Sequence, residues 1–278
     1  AVGTIGSSVV TVNSTCNADA TEMAIVPAHR SISCSAASYV SFRNQSTVDV
    51  DYANGSKNVL ACFRDSVGNY TVSPISAASP LTLDIAAPTY PSIVISPSGM
   101  TNSRDITLAL SAESAVEMHY FDSAGNSSGW IPYDGSAQDF TLEDYGTGES
   151  CDVDATGFAR RVRAEFRDEA GNTTASVEAS VTLDLCDPSI DFFDMLVGAK
   201  CFNNGGYKYC PDPDIVVSAG TEDCHSICIT DTLCIEDDWG SYVDIMNYTV
   251  TRPDGYVTVE AQCRDQAGNL SNSKNFTV

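Results

Sequence analysis

Apolar and polar residues alternate along short stretches of this chain. In Arg161-Val162-Arg163-Ala164-Glu165-Phe166-Arg167 the apolar Val162, Ala164 and Phe166 fall on one face and the charges on the other, as a half-buried antiparallel strand requires. Val257, Val259, Ala261 and Cys263 repeat the pattern. The runs Val10-Thr11-Val12, Ile106-Thr107-Leu108-Ala109-Leu110 and Ile215-Val216-Val217-Ser218-Ala219 predict further strands. No segment longer than about ten residues holds a 3.6-residue apolar period, so little helix is expected.

These strands recur in a larger repeat. Ala61-Cys62-Phe63-Arg64-Asp65-Ser66-Val67-Gly68-Asn69 returns as Ala164 to Asn172 and again as Ala261 to Asn269, about 100 residues apart each time. The Asp-x-x-Gly-Asn that ends each copy predicts a hairpin turn: the Asp carboxylate accepts local N–H groups and Gly takes positive φ. Leu83-Asp84-Ile85-Ala86-Ala87-Pro88 and Leu183-Asp184-Leu185-Cys186-Asp187-Pro188 look like unit ends with short stiff linkers. The pattern divides the chain into units 1–87, 88–185 and 186–278. It predicts an all-β protein of three tandem β-sandwiches.

The second unit, with Thr101 to Leu108, Glu117-Met118, Gly129-Trp130-Ile131-Pro132-Tyr133 and Phe166 to Asn172, resembles bacterial Ig-like repeats of large secreted and cell-surface, adhesin-type proteins. The first and third units keep the Asn54-Gly55 and Asp254-Gly255 approach to the Arg-Asp strand but lose the Trp-x-Pro-Tyr stretch. The resemblance implies immunoglobulin-like sandwiches used as stalk, spacer or adhesive modules, and it carries no catalytic residues to transfer.

Two departures from the repeat bear on function. The second unit has a full first strand at Ser92-Ile93-Val94-Ile95-Ser96, whereas the first unit offers only Ala1 to Ser7 before Val9, so its first strand is expected to be short or displaced. The third unit ends at Asn275-Phe276-Thr277-Val278, before the Leu-Asp that closes the others, and the chain reads as mature, processed or excised. A sandwich lacking an edge strand exposes main-chain N–H and C=O groups that a neighbouring chain can fill. This makes Val2, Thr4, Ile5, Phe276 and Val278 candidate assembly residues.

Eleven cysteines point to an oxidising compartment, and their odd number leaves one per chain outside intrachain bridges. Cys201 and Cys210 bracket a hairpin-like loop and are expected to pair. Cys263, on the inward Phe position of its strand, is expected to bridge the core to Cys224 or Cys228. Cys224-His225, Cys228 and Cys234 also admit a zinc reading, although their spacing departs from paired C-x2-4-C knuckles. Glu149, Asp152, Asp154 and Thr156 form a candidate calcium loop of alternating oxygens, with Arg163 where an EF-hand would place its closing Glu. Asp84, Asp184 and Asp187 are linker carboxylates that a cation could share. No cofactor is required by the fold.

Gly125-Asn126-Ser127-Ser128-Gly129 matches a hydrolase G-x-S-x-G, but that chemistry needs a strand-to-helix elbow and a buried His. The protein is therefore not expected to be an enzyme. Nine Asn-x-Ser/Thr sequons occur, four of them Gly-Asn turns. Asn13, Asn44, Asn54, Asn247 and Asn275 are the candidate glycosylation sites. Trp130, Tyr133 and Trp239 offer a candidate sugar-stacking platform, set against the commoner role of a sandwich Trp as core.

Composition narrows the partners. Fourteen Lys and Arg against 37 Asp and Glu give a net charge of −23, which repels phosphate backbones and anionic lipid. Neither nucleic acid nor membrane insertion is expected. The sequence reads as an extracellular, cell-surface structural subunit of a filament or pilus-like fibre, joined head to tail to copies of itself through docked or donated strands. The alternative is a stalk or binding segment of a larger adhesin that recognises glycans or a host surface.

Overall fold

The computed structural model describes residues 3–16, 19–143, 158–196, 201–204, 207–251 and 255–278. The chain is all-β and forms tandem immunoglobulin-like sandwiches. The second unit is the fullest. Thr89–Ser96, Asp105–Glu113 and Gln138–Thr141 make one antiparallel sheet. Met100–Thr101, Val177–Leu183, Phe158–Arg167, Glu117–Asp122 and Ile131–Pro132, in that order, make the other. The first strand is thus split: its first part pairs with Asp105–Glu113, and Met100–Thr101 crosses to pair in parallel with Val177–Leu183. Ile93 and Ile95 from one sheet meet Val162, Ala164 and Phe166 from the other in a single core, since alternate residues of each strand face inward.

The third unit repeats this plan. Ser189–Met195, Asp214–Glu222 and Ile245–Thr249 face Gly240–Ser241, Ser226–Thr230, Thr258–Arg264 and Lys274–Thr277. Ile190, Phe193 and Met195 of its first strand enter the core with Val259, Ala261 and Cys263. A small hairpin, Phe202–Asn204 with Tyr207–Tyr209, precedes Asp214–Glu222.

In the first unit the first described strand is short, two residues. Thr4–Ile5 pairs in parallel with Leu81–Leu83, the counterpart of Met100–Thr101, and Gly55–Lys57 flanks the same strand. Among the described residues, Val9–Asn13 has a neighbour on one side only, Gln45–Asp49. One core cluster of this unit is Val10, Val48, Val50, Val59 and Leu83, and Met23, Ala24, Cys34, Cys62 and Phe63 are buried as well.

Each unit pins the Arg of its Arg-Asp strand in the same way. Arg64, Arg167 and Arg264 lie over the rings of Tyr39, Trp130 and Trp239, and each pairs with a Glu: Glu22, Glu117 and Glu236. The two tryptophans are therefore covered by guanidinium groups, and Tyr133 packs edge-on against Phe166 in the core. This corrects the sugar-stacking reading, since the three rings do not form one exposed platform.

Cys201 is bonded to Cys210, Cys224 to Cys263, Cys34 to Cys62 and Cys228 to Cys234. Cys186 is disulfide-bonded as well, and the Cys16 thiol is unpaired and exposed. With Cys224, Cys228 and Cys234 consumed as disulfides, the zinc reading is overturned, because zinc binds thiolates. Cys151, Val2 and the candidate calcium residues Glu149, Asp152, Asp154 and Thr156 lie outside the described residues. Among the described residues no helix is long and apolar enough to cross a membrane.

Candidate functional site

The repeated Asp-x-x-Gly-Asn turn is the feature that connects the units. Within each turn the chemistry is local. Asp65 Oδ1 accepts the backbone N–H groups of Val67 and Asn69 at 2.9 and 2.8 Å, and its Oδ2 accepts Asn69 Nδ2 at 2.8 Å. Gly68 turns the chain at φ +96°. Asp168 with Asn172, Asp265 with Asn269 and, inside the second unit, Asp122 with Asn126 repeat the pattern. The Asn69 amide, with the N–H groups beside it, holds the Asp65 carboxyl below the ordinary aspartate value.

Two of these turns do more. Asn172 Nδ2 also donates to the carbonyls of Asp84 and Ala86, at 2.9 and 3.3 Å, in the linker that closes the first unit. Asn269 Nδ2 donates to the carbonyl of Asp184 at 3.0 Å, in the linker that closes the second. Linker and turn meet again beside these bonds. A Cβ on Gly6 would lie 2.7 Å from the Ala170 carbonyl oxygen, so only glycine fits there. In the next joint Asn102 approaches Gly268. Gly6 and Asn102 occupy the same place, each three residues before the strand that begins at Val9 or Asp105. The two joints are therefore built alike, and they bury the turns they contain. Asp168, Asp265 and Asn269 are buried, whereas Asn69 is exposed and Asp65 only half-buried.

Three carboxylates gather at the second joint. One oxygen each of Asp184, Asp223 and Asp265 lies within 4.8 Å of the others, with Asp184 and Asp265 buried and Asp223 exposed at φ +57°. Partial burial, with the charges of Asp184 and Asp265, pushes the Asp223 carboxyl above the ordinary aspartate range. Three oxygens are half or fewer of the six to eight that calcium takes. At the first joint Asp84 instead accepts Asn54 Nδ2 and the Ala86 N–H, as a turn former does. Asp187 is exposed.

The other sequence candidates fall elsewhere. Thr4 and Ile5 are engaged in their own unit's sheet. Val278 exchanges both main-chain hydrogen bonds with Val257, and Phe276 packs on Phe193. Asn13, Asn44, Asn54, Asn247 and Asn275 are all exposed. The G-x-S-x-G segment is the Asp122–Asn126 turn and its exit, not a strand-to-helix elbow. There His119 Nε2 lies 2.8 Å from Ser127 Oγ and His119 Nδ1 lies 3.9 Å from Glu165. Ser127 Oγ already accepts the Gly129 N–H, and the segment is exposed on a hairpin. Sequence reasoning missed this His119 contact because the residues come together only through strand pairing.

One cleft adjoins the chain's far end. About 720 Å³ in volume, it is lined by Tyr209, Cys210, Pro211, Ile215, Val257 and Val278, among others. In the first two units the residue paired with the crossing strand is a fully buried leucine, Leu83 opposite Ile5 and Leu183 opposite Thr101.

No family model and no curated protein matches this chain. Among solved structures, it is similar to the fibronectin(III)-like modules of Clostridium thermocellum CbhA, at 10% identity and TM-score 0.37, over 66% of this chain and 88% of that one. It is also similar to the FN1–FN3 domains of chicken CNTN1, at 9% identity and TM-score 0.36, over 100% and 96%. A tetra-tandem repeat from the extending region of a large adhesion protein matches at 19% identity and TM-score 0.25, over 98% and 70%.

Proposed function

We propose that this chain is a structural subunit of an extracellular surface filament or pilus-like fibre, in which sandwiches stack end to end and copies join through their ends. The observation that carries the reading is the repeated joint: Asn172 onto Asp84 and Ala86, and Asn269 onto Asp184, fix successive units by the same linker-to-turn contact. A device used twice in one chain suits a rod. Disulfides in the first and third units support an oxidising, extracellular setting. Thr4, Ile5, Phe276 and Val278 are tied into their own units, which favours docking of the ends over donation of these residues.

Sedimentation velocity of the purified chain, followed by electron microscopy of the largest species, tests the reading. Denaturant-resistant polymers with a regular repeat support it. A monodisperse monomer at every concentration refutes it and favours a stalk or binding segment of an adhesin.

A further inference from the structure

The small hairpin of the third unit brings an amine against a carboxyl group. Phe202–Asn204 pairs with Tyr207–Tyr209, and the Cys201–Cys210 bond closes the hairpin at its base. Lys208 is thereby fixed beside the first strand of the unit, Ser189–Met195, where its Nζ contacts Asp194 Oδ1. The hairpin base is held to the same strand, since Cys210 Sγ lies 3.3 Å from Met195 Sδ.

The surroundings set this contact apart from an ordinary surface ion pair. The Lys208 side chain is only 17% exposed, and its Nζ lies 5.2 Å from the ring centroid of Phe276, which packs on Phe193. Burial holds the amine below the ordinary lysine range, which favours its neutral, nucleophilic form. The Met195 N–H donates to Asp194 Oδ1 at 2.8 Å and draws electron density from the carboxyl carbon. The Asp194 side chain is 57% exposed, so a departing water has a way out. Lys57 and Asp51 give the contrast. There the Lys57 amine and the Ala53 N–H hold the Asp51 carboxyl below the ordinary aspartate range, and an ionised carboxylate is a poor electrophile.

We propose that Lys208 Nζ and Asp194 Cγ are joined by an amide bond that the chain forms on itself. Proton transfer within the pair gives a neutral amine and a neutral carboxyl group. Nζ then attacks Cγ and its proton passes to the departing hydroxyl oxygen. One C–N bond forms, one C–O bond breaks, and water leaves. No oxidant, nucleotide or second protein takes part; holding the two groups in contact supplies what free molecules lack. The bond ties the hairpin to the strand that follows the linker from the second unit, so tension along the chain meets a covalent brace. It lies within one unit and holds whether or not copies polymerise.

Mass spectrometry of the denatured, reduced chain, made in a host that adds no glycans, tests this. The parent should be one water lighter than its sequence, and digestion should yield Asp194 and Lys208 in one branched peptide that survives reduction. Lys208→Ala and Asp194→Ala should carry their full sequence masses. Asp194→Asn should be one ammonia lighter than its sequence, because attack on the carboxamide gives the same bond. Lys57 should be unmodified in every chain. A parent of full sequence mass, with Asp194 and Lys208 in separate peptides, overturns the proposal whether or not the variants fold, and so does a mass loss that persists in Lys208→Ala.

Discussion

Replacing Asn269 by Ala removes one side-chain amide that serves two partners. Asn269 Nδ2 donates to Asp265 Oδ2 at 2.8 Å within its turn and to the Asp184 carbonyl at 3.0 Å across the joint. The residue is only 8% exposed, so water does not readily replace either bond. A bond to a charged acceptor contributes about 1.5–3 kcal/mol and a neutral one about 1 kcal/mol. The loss is therefore about 3 kcal/mol. Asn69→Ala removes only the bond inside an exposed turn and should cost about 1 kcal/mol or less. Asn172→Ala should fall between them, at about 2 kcal/mol, because its side chain crosses the joint but is half-buried. The chain has two tryptophans, Trp130 in the second unit and Trp239 in the third. Fluorescence of a Trp130→Phe background thus reports the third unit alone, and calorimetry reports the whole. At about 4–8 °C per kcal/mol for a domain of this size, Asn269→Ala should lower the third unit's midpoint by at least about 10 °C. Equal costs for Asn69→Ala and Asn269→Ala would refute the claim that the turns hold the units together.

Three further outcomes follow from the same geometry. The Cys34–Cys62 and Cys224–Cys263 bonds close loops with sequence separations of 28 and 39, so Cys→Ser pairs at either should cost about 3.5–4 kcal/mol on chain entropy, read as a fall in denaturant midpoint with a steeper slope, because the unfolded chain freed of its crosslink exposes more surface. The Asp223 carboxyl is raised in the folded joint, so its contribution is complete below the ordinary aspartate value and is lost as pH rises through the raised one. Asp223→Asn should accordingly raise the third unit's melting temperature at pH 7 and leave it unchanged at pH 3, with a gain below about 1 kcal/mol because the group is exposed; equal gains at both pH values would contradict the charge argument. In a glycosylating host, peptide mass spectrometry should find Asn172 and Asn269 unmodified, since both side-chain amides are committed in the joints, while Asn44, Asn247 and Asn275 remain open to modification.

The sequence by itself determined what local physics controls. Alternation of apolar residues in Arg161 to Arg167 is enough to specify a strand and its inward face, and Val162, Ala164 and Phe166 are indeed fully buried. Asp, Gly and Asn at fixed spacing are enough to specify the turn, because its hydrogen bonds stay within five residues. The tertiary structure decided everything that depends on register and on what crosses from one element to another. Cys224 and Cys228 were both available to Cys263, but Ile227 lies directly opposite Cys263, so Cys228 faces the other side of the sheet and bonds Cys234 instead. The tryptophans lie under arginines of a strand distant in sequence. The same Asn that closes a local turn becomes an inter-unit contact only where a linker about 85 residues away passes within reach, a relation that no local spacing encodes.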